Sequence, residues 1–215
     1  MKPDVAGLVI YGYGGHARSV ADVALAAGIA NFIFVDSNAR DGETFLGFAV
    51  KREIQKTLPA GWQCFAAAGD NRARQLQVDA IIARGWALAT VVAPTSTVGA
   101  GAAIAEGCFL AHHSHIGPLA TIGRACILNT GCIVEHDCRV GDFTHVSVNS
   151  TVAGACTIGS FVFLGAGSVV KDGCTVPDEV ICGAGTVVTR SLAGSGTYVG
   201  APARLVSDAK RSSRV

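Results

Sequence analysis

From Val98 onward the apolar positions recur every six residues. Cut into consecutive hexapeptides, the chain shows at their first places Val98, Ile104, Leu110, Ile116, Ile122, Leu128, Val134, Val140, Val146, Val152, Ile158, Leu164, Val170, Val176 and Cys182. The fifteen hexads end at Val187 without an insertion or deletion. Fourteen of the fifteen first residues are Val, Ile or Leu, and every fifth place holds Ala, Cys, Ser, Thr or Val. A large and a small inward side chain, separated by turn residues at a fixed period of six, predict a triangular parallel β-solenoid. Each hexad supplies one face, three faces close a coil of 18 residues, and five coils stack to about 24 Å at a strand spacing of ~4.8 Å.

The pattern before Val98 is of another kind. Leu8-Val9-Ile10-Tyr11 reads as a buried strand, a glycine turn Gly12-Tyr13-Gly14-Gly15-His16-Ala17 follows, and Val20, Val23, Ala24 and Ala27 mark a helix face. Phe32–Val35 makes a second strand ending at Asp36, and Gln63–Ala67 a third. A helix follows over Asn71–Arg84, then a strand near Thr90-Val91-Val92. The order βαβ…βαβ predicts a small Rossmann-like parallel sheet. The expected organisation is therefore an α/β domain over 1–94, an all-β parallel helix over 95–206, and a solvated tail over 207–215 rich in Ser, Lys and Arg.

Composition narrows the function classes. The chain has 215 residues, half of them hydrophobic and 15% charged, with 17 basic against 16 acidic side chains. So even a balance supplies no field to gather nucleic acid. No apolar run approaches the ~20 residues of a membrane helix, and Met1-Lys2-Pro3-Asp4 opens no signal-peptide pattern, so a cytoplasmic location without membrane insertion is expected. The 27 glycines and the 7% of aromatic residues suit a narrow interior of small and aliphatic groups. Of eight cysteines, Cys108, Cys126, Cys132, Cys138, Cys156 and Cys174 occupy fifth places, where a reduced thiol packs as a small apolar group; this is preferred over a disulfide framework.

Two regions carry candidate chemistry. Gly12-x-Gly14-x-x-Ala17 with Asp36 approximates a dinucleotide fingerprint, in which glycines admit phosphate to a helix N-terminus and the acid holds a ribose. About 90 residues suffice for only one mononucleotide-binding half, so a mononucleotide or nucleotide-sugar pocket is favoured over a dehydrogenase or a purely structural turn. After the third strand, Asp70 is placed to cap the next helix, while Arg74 either faces phosphate or is solvated. On the solenoid, His136 is the third residue of its hexad, where neither inward place falls, so it projects outward next to Glu135 and Asp137. An imidazole oriented by a carboxylate is a general base; the competing reading is a solvated surface histidine. A zinc site is the rival use of several histidines, but residues stack on one face at multiples of 18, and His112, His115 and His136 do not. The cluster His112-His113-x-His115 reads as turn surface.

Taken together, Tyr11-Gly12-Tyr13-Gly14-Gly15-His16, Gly69-Asp70-Asn71-Arg72, Leu128-Asn129-Thr130, Val134-Glu135-His136-Asp137-Cys138, Phe143-Thr144-His145-Val146-Ser147 and Tyr198-Val199-Gly200-Ala201-Pro202-Ala203 resemble one family. It is the bacterial family that N-acetylates UDP- or GDP-linked 4-amino-6-deoxysugars, related to sialic acid O-acetyltransferases, and the likeness runs from about Gly7 to Leu205. The resemblance implies a left-handed β-helix, acetyl-CoA as cosubstrate, direct transfer without metal, and a homotrimer with active sites between subunits. It implies His136 as base with Asp137 beside it and Asn129 at the acceptor. Gly14, Gly15, His16 and Asp36 correspond to the nucleotide end of the acceptor. His145, Gly154, Gly165, Ala166, Gly183 and Ala184 correspond to acetyl-CoA contacts, where small residues let a pantetheine arm approach the main chain. The alternative within the resemblance is sialic acid O-acetylation; outside it, a noncatalytic solenoid.

Overall fold

A computed structural model describes residues 5–54 and 57–207. The chain divides into two compact units, Met1–Pro94 and Thr95–Val215. Of the expected tail, Ser207 closes a strand, and 208–215 lie outside the described residues.

In the first unit β1 (Gly7–Tyr11), α1 (Gly15–Ala26) and β2 (Phe32–Val35) follow one another. Then come β3 (Thr44–Phe45), β4 (Phe48–Lys51), β5 (Trp62–Ala66), α2 (Asn71–Ala83) and β6 (Val91–Val92). Five of these strands form one sheet in the order β3-β4-β2-β1-β5, with β1 parallel to both β2 and β5. Leu8, Val9 and Ile10 are each 0% exposed, so β1 is covered on both faces, and its unbroken apolar run follows from that. Helix α1 buries Ala17, Val20, Ala21, Val23 and Ala24 as one stripe. The β3–β4 hairpin has no counterpart in the sequence reading. Its turn places Leu46 (φ 49°) and Gly47 (φ 83°) in the left-handed region, a backbone that a leucine does not announce.

In the second unit the hexads fold as expected. Two-residue strands pair in parallel with partners 18 residues away: His115–Ile116 lies between Thr97–Val98 and Ile133–Val134, and Ile127–Leu128 between Phe109–Leu110 and His145–Val146. The first-place residues from Ile116 to Val176 are at most 4% exposed and, with the fifth-place residues, form one continuous core. All eight cysteines are free and buried. The fifth place also closes a ladder. Cys126 Sγ donates to Gly141 O at 3.1 Å, Cys138 Sγ to Ala153 O at 3.1 Å, Thr144 Oγ1 to Gly159 O at 2.7 Å and Ser150 Oγ to Gly165 O at 2.8 Å. Cys, Ser and Thr share the place because each is small and each can donate.

The corners obey a rule that composition hides. The fourth residue of every hexad has positive φ: glycine at 101, 107, 131, 167, 173 and 185, but His113, Leu119, Ala125, Asp137, Phe143, Asn149, Ala155, Phe161 and Glu179 elsewhere. A left-handed residue at the third position of a β-turn costs a side-chain-bearing residue of order 1 kcal/mol. Stacking over-determines it, because these N–H groups donate to third-place carbonyls of the preceding coil, as Asp137 does to Pro118 at 3.0 Å and Ala155 to His136 at 2.9 Å. Beyond the hexads, Gly196–Val199 continues one sheet in parallel, and Arg204–Ser207 pairs with it antiparallel.

Candidate active site

His136 and Asp137 occupy the third and fourth places of one corner. The left-handed backbone of Asp137 (φ 58°) turns its carboxylate back on its neighbour, and Asp137 Oδ2 lies 2.8 Å from His136 Nδ1. The two side chains are 58% and 54% exposed. The hydrogen bond to Asp137 raises the imidazole pKa above 6.5, with the charges of Asp137 and Glu135 adding to it and desolvation opposing it. A carboxylate accepts only, so Nδ1 carries the proton and Nε2 is the basic nitrogen facing outward from the pair.

Two glycines seat this corner. A Cβ on Gly117, one coil before, would lie 2.5 Å from the backbone nitrogen of His136. A Cβ on Gly154, one coil after, would lie 2.6 Å from both Cε1 and Nε2 of the imidazole. The sequence reading gave Gly154 a role toward acetyl-CoA through family correspondence, and the structure puts it against the histidine ring. The signal was present in the spacing, since 136 and 154 differ by one coil.

Asn129 and His145 are brought together: Asn129 Nδ2 is 3.2 Å from His145 Nε2, and Asn129 Oδ1 accepts the N–H of Thr130 at 2.8 Å. His145 is 8% exposed and meets the Phe163 ring edge-on at 5.1 Å. Gly165, Ala166, Gly183 and Ala184 lie on two successive coils at one corner. The N–H groups of Gly165 and Gly183 donate to Cys182 O and Tyr198 O, so these two donors are committed to stacking. Ala166 and Ala184 are exposed. The smallness of Gly165 has a packing cause, because a Cβ there would lie 2.6 Å from Cys182 O.

In the first unit Gly14 is the N-cap of α1 and Gly15 its first residue. No side chain caps this end, the first turn holds no acid, and space around both glycines is open. An uncapped helix start with open space beside it is a place where an anion can be accommodated. His16 follows on the first turn, half-buried, its Cβ 4.0 Å from where one on Gly69 would stand. Asp36 accepts the N–H of Tyr13 at 3.1 Å and that of Asn38 at 2.9 Å, fixing the glycine turn beside β2. The sequence reading missed the aromatic group here: Tyr13 packs edge-on against Phe34 and Phe45, and Arg18 lies over the Tyr13 ring at 4.9 Å. Asp70 caps α2 as expected, accepting from Ala73 N at 2.8 Å. Arg74 neither faces phosphate nor is solvated. It is 0% exposed and donates to Ala68 O, Gly69 O and Asn71 Oδ1, because position 74 falls on the buried stripe Asn71-Arg74-Val78-Ile81.

The histidines on the second coil bond to threonines below them, His112 to Thr95 at 2.8 Å and His115 to Thr97 at 2.7 Å. Among the described residues no group of three or more His, Cys, Asp or Glu is placed to hold a metal ion, and no helix is long and apolar enough to cross a membrane.

A small parallel α/β unit followed by a parallel β-helix, with a carboxylate-backed histidine on a β-helix corner, defines a hexapeptide-repeat acyltransferase. Residues 7–81 match the PglD N-terminal domain family. PerB from Caulobacter crescentus, solved with CoA and GDP-perosamine, is 33% identical, with a TM-score of 0.83 over 93% of this chain and 97% of that one. The acetyltransferase domain of PglB from Neisseria gonorrhoeae, solved with acetyl coenzyme A, is 27% identical, with a TM-score of 0.87 over 94% of this chain and 100% of that one. No curated protein gives a sequence match. The chain belongs to the nucleotide-sugar N-acetyltransferase family, and its solenoid is the left-handed β-helix expected from the sequence.

Proposed function

We propose that this chain transfers the acetyl group of acetyl-CoA to the 4-amino group of a UDP- or GDP-linked 4-amino-4,6-dideoxysugar, with His136 as general base. The observation that carries the reading is the His136–Asp137 pair, 2.8 Å apart and exposed, in a chain matching PerB over nearly its whole length. Asp137 fixes the Nδ1–H tautomer, leaving Nε2 free to accept a proton. The sugar amine attacks the thioester carbonyl, and His136 takes the proton released as the C–N bond forms. A main-chain N–H stabilises the oxyanion; on its collapse the C–S bond breaks, and the imidazolium returns the proton to the CoA sulfur. The products are the N-acetylated nucleotide sugar and CoA, without an acyl-enzyme.

The nucleotide end of the acceptor binds at Gly14, Gly15 and His16, where the uncapped start of α1 favours a diphosphate, with Asp36 beside it. Asn129 serves the acceptor site. Acetyl-CoA runs along the solenoid by His145, Gly154, Gly165, Ala166, Gly183 and Ala184. The working form is a cytoplasmic homotrimer with sites between subunits, since a narrow prism gains burial by packing its flat faces together.

The test is thiol release from acetyl-CoA by purified protein, with UDP- and GDP-4-amino-4,6-dideoxysugars compared against the same sugars blocked at nitrogen. Release that requires the free amine and falls about 10²–10⁴-fold in His136→Ala is expected. No release with any amine sinks the reading; release with a sialic acid hydroxyl instead points to O-acetylation.

A further inference from the structure

The geometry points to Asn129 as a tautomer lock for His145, a positioning role distinct from contact with a substrate. The argument starts at a group that has no choice. The backbone N–H of Thr130 can only donate, and it lies 2.8 Å from Asn129 Oδ1. That bond fixes which end of the amide is which. The NH2 end therefore faces His145, with Nδ2 3.2 Å from Nε2. An amide NH2 can only donate, so Nε2 of His145 accepts and carries no proton. The proton of the neutral ring then sits on Nδ1. A doubly protonated ring is disfavoured at the same point, because it would set an N–H against an NH2.

The ring is held as well as polarised. It stands in the parallel stack Ile127–His145–Phe163, is 8% exposed, and packs at 86° on Phe163, which removes the freedom to turn Nδ1 and Nε2 over. His136 and His145 thus carry their proton on the same nitrogen for opposite reasons. A carboxylate accepts from Nδ1 of His136, whereas an amide donates to Nε2 of His145. The first arrangement leaves a base facing outward, and the second keeps its ring neutral with Nδ1 as its one N–H donor. The inference deepens the proposed acetyl transfer and rests on it for one step: His145 lies on the path proposed for acetyl-CoA, so the state of its ring is read there.

The experiment reads the tautomer directly. Long-range 1H–15N correlation on 15N-histidine-labelled protein near neutral pH, with the His145 signals identified by their loss in His145→Gln, is expected to show a protonated Nδ1 and a bare Nε2. Asn129→Asp keeps an acceptor for Thr130 N–H but turns the facing group from donor to acceptor, so the proton pattern should move to Nε2–H or to a doubly protonated ring. A wild-type His145 that carries its proton on Nε2, or an Asn129→Asp protein whose ring stays Nδ1–H, overturns the lock. In the same variant KM for acetyl-CoA is expected to rise about tenfold, with kcat changing less. An altered tautomer with unaltered KM overturns the contact to acetyl-CoA while leaving the lock standing. If the wild-type protein releases no thiol with any amino sugar, it is the acetyl-transfer reading that fails, and the spectra still decide the tautomer.

Discussion

Replacing Gly154 by alanine tests the proposed base without touching it. The new methyl carbon would stand 2.6 Å from Cε1 and Nε2 of His136, roughly 1 Å inside a normal contact of ~3.5–4.0 Å. Something must yield, and the yielding part is the imidazole, because its side chain is 58% exposed while residue 154 is buried in the stack of coils. Rotating the ring away disrupts the 2.8 Å bond to Asp137 and moves Nε2 by about the overlap. A misplacement of ~1 Å at a reacting group costs on the order of 10²-fold, and the whole general-base contribution is about 10²–10⁴-fold, so kcat should fall by about 10²-fold. Stability should change by no more than about 0.5 kcal/mol, since the conflict falls on a mobile exposed group. The assay is steady-state thiol release from acetyl-CoA, beside thermal melts of both proteins. Comparing Gly154→Ala, His136→Ala and the double variant separates the routes: if Gly154 acts through the imidazole, the double variant is no slower than His136→Ala alone. Wild-type turnover in Gly154→Ala, a melt lowered by many degrees, or full additivity in the double variant would each refute the reasoning.

Other expectations follow from the same geometry. Because Asp137 raises the His136 pKa above 6.5, the neutral base is depleted at and below that pH; kcat/KM should climb with pH through a value above 6.5, and Asp137→Asn should shift this limb to lower pH while lowering its plateau. A pH–rate profile of thiol release for both proteins checks this, and an unmoved limb counts against the pair. Arg74→Met strips the hydrogen bonds to Ala68 O, Gly69 O and Asn71 Oδ1 from a fully buried site and leaves the two carbonyls short of a donor, a loss of about 3 kcal/mol or more in denaturant unfolding, against about 1 kcal/mol for the capping change Asp70→Ala. Burial pushes the thiols of Cys64 and Cys132 up to about 12 and that of Cys182 to about 11, so at pH 8 these three should resist alkylation in the native protein and react on unfolding. Rapid labelling of any of them in native buffer, read by mass spectrometry, would count against the packing described.

The solenoid was legible because its rule is local: a large residue at the first place and a small one at the fifth specify a face, and the unbroken count of six specifies that faces stack at 18. What stayed hidden depends on neighbours one coil away. Nothing in Gly154 itself separates a residue that a ligand passes from one that leaves room for the His136 ring. Arg74 shows a related failure, since a charged residue on a buried helix stripe is read outward by default, and only the carbonyls of Ala68 and Gly69 reveal what it satisfies. The hairpin at Leu46-Gly47 escaped because half of its left-handed turn is a leucine. The exposed pair His136–Asp137 was found because the third place of a hexad points away from the core; its 2.8 Å contact depends on the left-handed backbone of Asp137, which no residue preference announces.

The constant step of 18 between paired strands of the hexads makes the β-helix an indexed screw. Lengthening or shortening the chain by one full turn of that screw beyond Val170 changes how tall the prism is and leaves every earlier corner facing the direction it faced before. A change of six residues rotates all that follows by a third of a turn, so a corner that presented an imidazole on one edge presents it on the next. A change of a single residue throws inward and outward places out of phase. Insertions and deletions in such a chain are therefore quantised, and across its fifteen hexads the count of six is kept without a slip.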